Sequence, residues 1–198
     1  MKAVEMSTAT IETPRFSFLP TPLPGVWQLH RKPVTDTRGF FSRFYCADEF
    51  SAAGFSLPLV QINHSYSKQR GTLRGMHFQH PPHGETKVVS CVAGRIFDVA
   101  VDLRRGSATF LQWVGAELSA ENQQSLLIPE GFAHGFQALS DACELIYLHS
   151  AAYQPASEGA VNANDPRLAI AWPLNIMEMS ERDRAYPLIT KEFEGIEL

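Results

Sequence analysis

The sequence predicts an all-β protein whose strands form an antiparallel sandwich or barrel. Short apolar stretches are separated at regular intervals by Gly, Pro, Asn and Asp, and helical periodicity is sparse. The clearest strand covers residues 97–103, where four apolar residues alternate with Asp98, Ala100 and Asp102. Because side chains on a strand point alternately to opposite faces, this pattern predicts that one face is drier than the other.

The other elements follow from local patterns. Residues 47–53 favour a short helix that ends at Gly54, and Ser180-Glu-Arg-Asp183 is expected to open a second helix. Further strands are predicted at Phe110–Val114 and Glu144–His149.

The length of 198 residues fits one domain with a sizeable core. Residues 1–24 are rich in Thr and Pro, and their prolines resist helix formation. An irregular N-terminal arm over residues 1–24 is therefore expected before a single domain over residues 25–198.

Composition narrows the functional classes. The formal net charge of -4 predicts no bulk attraction to nucleic acid or to a membrane, so local cations must hold any anionic ligand. The three cysteines are odd in number and lack CxxC spacing, which favours small buried thiols in a reducing compartment. Met1–Pro20 lacks the apolar segment of a signal peptide, and no apolar run is long enough to span a bilayer. The expected location is the cytoplasm.

Two glycine-bounded segments carry the residues suited to chemistry. Gly71-Thr-Leu-Arg-Gly-Met-His-Phe-Gln79 places Arg74 and His77 on a strand, and Pro129-Glu-Gly-Phe-Ala-His-Gly135 does the same for His134. Imidazole titrates near neutrality and can accept a proton, although an isolated histidine in a strand more often has a structural role.

Together these segments resemble the dTDP-4-keto-6-deoxyglucose 3,5-epimerase family of the cupin superfamily. The resemblance extends from Asp36-Thr-Arg-Gly-Phe-Phe41 through Asp165-Pro-Arg-Leu-Ala-Ile-Ala-Trp-Pro173 to Ser180-Glu-Arg-Asp183. It implies a cupin-type jelly-roll barrel of two antiparallel sheets with a few short helices, assembled as a homodimer. It also implies a cofactor-independent epimerase that acts on a nucleotide-linked 4-keto-6-deoxy sugar in deoxysugar biosynthesis.

The resemblance assigns four catalytic residues. His77 matches the base, Asp183 the carboxylate paired with it, Tyr147 the acid, and Lys87 a cation that stabilises a developing enolate. Each has a structural alternative: Asp183 could serve the capping box that begins at Ser180, and a tyrosine in a strand is more often part of the core. If the barrel closes, the faces that carry His77 and Tyr147 could both point inward.

The resemblance also implies a set of substrate-binding residues. Two arginines match positions that bind the diphosphate, a phenylalanine matches one that stacks on the base, and the others line the pocket. In relatives the element with the phenylalanine can reach into the partner subunit. The set is Arg38, Phe41, Gln61, Asn63, Arg74, His134 and Tyr153.

A metal site is the main rival interpretation. Gly71-x5-His77 and Pro129-x-Gly131-x2-His134 both fit the metal-binding segments of cupins, but Gln79 occupies the position of a second histidine ligand. We therefore expect no bound metal, and His134 is either a pocket residue or a structural one. The alternatives to the epimerase are a metal-dependent cupin, such as a dioxygenase or isomerase, and an inert sugar-nucleotide-binding protein.

Two departures from the family pattern bear on stereochemistry. Leu148 stands where relatives commonly carry Lys, and Ala163 stands where they commonly carry Trp. Both positions are expected in the wall around the site, and a wall that has lost bulk and charge should hold the ring less firmly. One centre, C3, is therefore expected to exchange much faster than C5, as in a 3-epimerase.

Overall fold

Two antiparallel sheets face each other across an apolar core. The computed structural model describes residues 9–52, 54, 56 and 58–198. Within these residues the strands are β1 (Ile11–Glu12), β2 (Phe16–Pro20), β3 (Trp27–Arg31), β4 (Val34–Asp36), β5 (Gly39–Phe41), β6 (Gln61–Ser67), β7 (Leu73–Gln79), β8 (Lys87–Ala93), β9 (Arg95–Asp102), β10 (Trp113–Ser119), β11 (Gln124–Ile128), β12 (Phe132–Ala138), β13 (Cys143–His149) and β14 (Glu158–Ala160).

The strands pair in a non-sequential order. Over the described residues, one sheet has seven strands in the order β1-β2-β3-β11-β8-β13-β6, and the other has five in the order β10-β9-β12-β7-β14. Strands β4 and β5 form a separate hairpin that pairs with neither sheet. The predicted all-β barrel of two antiparallel sheets, with a few short helices, is confirmed.

Both sheets are covered on their outer faces as well. A cluster that includes Phe16, Phe18, Phe50 and Leu148 covers the seven-stranded sheet. A second cluster, which includes Leu168, Met179 and Ile196 from the C-terminal part of the chain, packs on the five-stranded sheet. Three apolar layers therefore hold the two sheets in place.

The N-terminal arm is not irregular throughout, so that part of the prediction is wrong. Strands β1 and β2 extend the sheet beside β3, and Phe16 and Phe18 are fully buried. The physical reason is the alternation Phe16-Ser17-Phe18, which places both rings against Phe50 of the first helix. Residues 1–8 of the predicted arm lie outside the described residues.

Two strand predictions also need correction. Asp98 and Asp102 are fully buried, so β9 has no wet face, because both faces of its sheet are covered. Asp102 accepts hydrogen bonds from Arg104 and from two nearby hydroxyls. The strand predicted at residues 110–114 begins only at Trp113, because Leu111 takes a left-handed φ of 63° in the preceding turn.

Both predicted helices are present in the described part of the chain. The first, α1, spans Ala47–Ser51, and α2 spans Glu181–Ala185 with the Ser180 hydroxyl capping its N-terminus. Ala53, in the predicted end of α1, lies outside the described residues. Neither helix has the length and apolar content needed to cross a membrane, as far as the described residues extend.

Candidate active site

A cavity of about 520 Å³ opens between the two sheets, within the size range typical of small-molecule sites. The five-stranded sheet contributes His77 and His134, which lie opposite each other in the pairing of β7 with β12. The seven-stranded sheet contributes Tyr147. The prediction that His77 and Tyr147 both face the interior is confirmed. The cavity is lined by Ile62, Asn63, His64, Ser65, Arg74, His77, Lys87, His134, Phe136, Tyr147, His149 and Arg182.

His77 forms a dyad with Asp183. The distance from His77 Nε2 to Asp183 Oδ1 is 2.8 Å, and the carboxylate is buried while the imidazole remains partly exposed to the cavity. Burial raises the pKa of Asp183, but the hydrogen bond and charge of His77, with the Gly75 N–H, outweigh it and leave that pKa below its ordinary value. The ionised carboxylate holds the proton of a neutral imidazole on Nε2, so Nδ1 carries the lone pair that can accept a proton.

Two glycines allow the strand that carries His77 to approach its neighbour. A Cβ on Gly75 would lie 2.5 Å from the Cα of Gly135, and the φ of Gly75 is +133°. A side chain at this position would therefore push β7 away from β12. The same backbone donates the Gly75 N–H to Asp183 Oδ2 at 3.4 Å. The close approach helps to place His77 and Asp183 together.

Tyr147 stands on the opposite wall of the cavity. Its hydroxyl lies 3.0 Å from Ser65 Oγ, and burial raises the pKa of the phenol above its ordinary value despite that hydrogen bond. The ring lies edge-on to His134 at 6.2 Å between centroids and is stacked with His149 at 6.0 Å. A phenol in this setting keeps its proton and can donate it to a carbon on the far side from His77.

His134 is held by a second buried carboxylate. Its Nε2 lies 2.7 Å from Oδ1 of Asp98, which is fully buried. The sequence left open whether His134 is a pocket residue or a structural one, and the structure shows that it lines the cavity. Asp98 was missed as a partner because it appeared only as the polar half of an alternating strand.

A third histidine and carboxylate pair lies beside Lys87. Glu85 Oε1 is 2.7 Å from Lys87 Nζ, and Glu85 Oε2 is 2.7 Å from His149 Nδ1. Burial raises the pKa of Glu85, but the His149 and Lys87 contacts outweigh it and lower that pKa to about 2. Asn63 Nδ2 approaches His149 Nε2 at 3.4 Å, and Gln61 Nε2 donates to Asn63 Oδ1 at 3.1 Å. The sequence analysis assigned His149 no role, although its spacing of two residues from Tyr147 puts both on one face of β13.

The remaining predicted binding residues divide into two groups. Arg74 lines the cavity. Gln61 and Tyr153 are not lining residues: Gln61 contacts the lining residue Asn63, and the backbone N–H of Tyr153 donates to Gln61 Oε1 at 3.0 Å. Arg38 and Phe41 instead lie on the β4–β5 hairpin, where Arg38 pairs with Asp36 and the Phe41 residue is 67% exposed. In the described part of this chain neither residue lines the cavity, because the hairpin pairs with neither sheet.

The two departures expected to loosen the pocket lie elsewhere. Leu148 points to the outer face of its sheet and packs with Phe16 and Phe50, since it alternates with Tyr147 along β13. Ala163 is buried in the outer cluster of the other sheet, where its carbonyl accepts the indole N–H of Trp172. The grounds for expecting faster exchange at C3 are therefore wrong.

The cupin metal-binding pattern is not reproduced. Gln79 is buried and uses its amide to bind the carbonyls of His83 and Ala152 and the N–H of Gln154. Among the described residues, no group of three His, Cys, Asp or Glu is arranged to hold a metal ion.

Comparisons with known proteins agree with this geometry. A sequence model of the dTDP-4-dehydrorhamnose 3,5-epimerase family matches residues 20–191. The chain is 46% identical over 171 residues to the dTDP-4-dehydrorhamnose 3,5-epimerase of Salmonella typhimurium. The aligned region covers 85% of this chain and 93% of that protein. It is 43% identical over 166 residues to the dTDP-4-dehydrorhamnose 3-epimerase of Streptomyces niveus. That aligned region covers 83% of this chain and 80% of the Streptomyces protein.

A solved structure is similar throughout. The dTDP-6-deoxy-D-glucose-3,5-epimerase of Legionella pneumophila, crystallised with dTDP-4-keto-L-rhamnose, gives a TM-score of 0.85 at 39% identity, with 91% of this chain and 98% of that chain covered.

Proposed function

Since the chain belongs to the dTDP-4-dehydrorhamnose 3,5-epimerase family, we propose that the cavity between its sheets is the epimerase active site. The protein is an epimerase of a nucleotide-linked 4-keto-6-deoxy sugar, and it inverts C3, C5 or both. The observation that supports the site most strongly is the His77–Asp183 dyad facing Tyr147 across one cavity. Family membership favours this activity over the metal-dependent cupin and the inert binding protein.

The chemistry follows from the ketone at C4, which acidifies the hydrogens on C3 and C5. His77 Nδ1 takes one of these protons, and the electron pair of the C–H bond moves onto the ketone oxygen to give an enolate. The Tyr147 hydroxyl then gives its proton to the other face of the same carbon, and the carbonyl reforms. Because base and acid stand on opposite walls, removal and return take place on opposite faces, which inverts the centre.

Charge stabilisation is assigned to Lys87. Its side chain is 6% exposed and lines the cavity, so an ammonium there acts in a poorly solvated environment. A fixed cation facing the ketone oxygen stabilises the enolate more than the neutral ketone, which lowers the barrier to proton removal. The Asp183 carboxylate likewise stabilises the positive charge of the imidazolium that forms on His77.

NMR of dTDP-4-keto-6-deoxyglucose in heavy water tests the activity. We expect enzyme-dependent deuterium at C3, C5 or both, together with an inverted product. A folded protein that introduces no deuterium at either carbon would contradict the function, whereas labelling lost in the His77→Ala variant supports the assigned base.

We also propose a homodimer in which the β4–β5 hairpin completes the partner's cavity. The hairpin exposes Val34, Phe40 and Phe41 at 46%, 64% and 67%, an unusual amount of apolar surface for three neighbouring positions of a short hairpin. Arg38 at its tip would then reach a diphosphate in the partner's site, which fits the planar guanidinium.

Subunit mixing tests the shared site. His77→Ala and Arg38→Ala proteins are each expected to be weakly active, but a heterodimer of the two has one site with both residues intact. Equal mixing should therefore restore about a quarter of wild-type activity, because half of the dimers are mixed and each has one complete site of two. No recovery on mixing, or a monomer in solution, would refute the shared site.

The proposal also covers the domain organisation and the location of the protein. We take the described chain from β1 onward as one domain, with the cytoplasm as its location. The first is supported by the pairing of β1 and β2 with β3, and the second by three free cysteines, two of them buried.

A further inference from the structure

The wall of the cavity beside Tyr147 carries a continuous chain of side-chain hydrogen bonds. Lys87, Glu85, His149, Asn63 and Gln61 are joined in that order by contacts between 2.7 and 3.4 Å. Lys87, Glu85 and His149 are each at least about nine-tenths buried. Replacing a buried ion pair by well-packed apolar side chains is often neutral or stabilising, so the fold itself does not require charges at this cavity wall, and the group calls for another role.

Strand register explains why these residues meet. Lys87 of β8 lies directly opposite His149 of β13, and the next inward pair along β13 is Tyr147 with Val89. Cross-strand partners share a face, so both side chains point into the barrel next to Tyr147. Glu85 lies two residues before Lys87 and reaches both partners with its two oxygens.

The donors and acceptors along the chain fix its direction. An ionised Glu85 can only accept, so His149 Nδ1 must donate to it. The Asn63 oxygen accepts from Gln61, which turns the Asn63 amide N–H toward His149 Nε2. When the imidazole is neutral, its proton is therefore on Nδ1, and its Nε2 lone pair faces Asn63, which lines the cavity as His149 does.

We propose that Glu85 is a positioning residue of the epimerase, which holds the Lys87 ammonium and the His149 ring as one unit, and that His149 is a further residue that contacts the sugar. Nε2 of His149 accepts a hydrogen bond from a sugar hydroxyl, in place of its long contact with Asn63. The stacked ring of His149 also limits the tilt of Tyr147, since the two planes differ by 20°. This proposal rests on the functions proposed for Lys87 and Tyr147.

Kinetics of Glu85→Gln, which has nearly the same shape without the charge, and of His149→Ala provide the first test. We expect each change to lower kcat on the order of 10- to 100-fold, the range found when hydrogen bonds that orient metal ligands are removed. Binding of dTDP alone, measured by calorimetry, should change by less than about twofold because the trio faces the sugar. Glu117→Gln is the control, since it removes an exposed carboxylate that lies 4.0 Å from Arg95 and outside the cavity lining, and should leave kcat unchanged.

The Glu85→Gln/His149→Ala double variant tests whether Glu85 and His149 act together or independently. If Glu85 acts through His149 and Lys87, the combined change should be far smaller than the product of the single effects. Independent, multiplying effects, or a folded Glu85→Gln protein with at least half of wild-type kcat, would overturn the proposal. Glu85→Asp keeps the charge with a shorter reach, so it should recover part of the kcat lost in Glu85→Gln.

Nitrogen NMR of the histidine rings provides a test that needs neither turnover nor a stable Glu85 variant. In the unmodified protein His149, assigned by the loss of its signal in His149→Ala or by sequential connectivity, should show the Nδ1–H tautomer. An Nε2–H tautomer would overturn the positioning role whatever the kinetics show. Absence of turnover on every 4-keto-6-deoxy sugar tested would instead count against the proposed function and leave the tautomer result to stand separately.

Discussion

Replacement of Asp183 by Asn removes one charge from a buried pair with little change in shape. The carboxylate oxygen lies 2.8 Å from His77 Nε2 and is shielded from solvent. Breaking a buried charge pair costs about 3–5 kcal/mol, and the pair is fully charged only when His77 has taken a proton. At 1.36 kcal/mol for each factor of ten, proton removal should slow roughly 200- to 5,000-fold.

The assay is the initial rate of deuterium entry into the keto sugar, measured beside thermal unfolding of the same preparation. Ser180→Ala is the control, because it removes the hydroxyl that accepts the Asp183 N–H at 3.0 Å while the carboxylate contact with His77 remains. Loss of this N-cap should cost about 1 kcal/mol of stability and little activity. A folded Asp183→Asn protein that keeps a tenth or more of wild-type exchange would refute the reasoning.

Four further outcomes are expected. His77→Ala should abolish deuterium exchange, whereas Tyr147→Phe should lower net inversion by about 100- to 10,000-fold and retain some exchange, as seen by NMR of the sugar. Leu148→Ala should lower the free energy of unfolding by about 2–5 kcal/mol with kcat unchanged, because the side chain packs on the outer face; a large loss of kcat in the folded variant would show that it reaches the site. Because the folded protein lowers the pKa of Glu85 from 4.5 to about 2, ionised Glu85 should contribute on the order of 3 kcal/mol of stability above pH 4.5, and this is lost as the pH falls toward about 2. The free energy of unfolding of Glu85→Gln should lack this dependence on pH, and an identical dependence would contradict the assignment. Chelation should leave turnover unchanged, and an inactive protein rescued by one metal would contradict a metal-free mechanism.

Period-two patterns carried most of the fold prediction. They predicted an antiparallel sandwich or barrel, the β13 strand and the shared interior direction of His77 and Tyr147, because alternation along a strand determines which side chains share a face. They failed where both faces of a strand are buried, as at Asp98, since a carboxylate that binds a cavity histidine has the same spacing as one that faces water. The arm was misjudged because its prolines outweighed the short Phe16-Ser17-Phe18 alternation.

The sequence did not reveal which residues of the candidate site contact one another. Glu85 and His149 are 64 residues apart, and local spacing contains no information about which distant side chains meet. The same limit led to the wrong placement of Leu148. A single position along a strand separates the cavity face from the outer face, so adjacency to Tyr147 in sequence meant separation from it in space.

The His77–Asp183 dyad can form only late in synthesis of the chain. Asp183 follows His77 by 106 residues, and all of β8 to β14 is made between them. A nascent chain that stops before α2 lacks the carboxylate that supports the proposed base, and it also lacks Ile196 of the apolar layer that covers the five-stranded sheet. The ribosome must therefore pass residue 183 before the proposed base, His77, has its carboxylate partner.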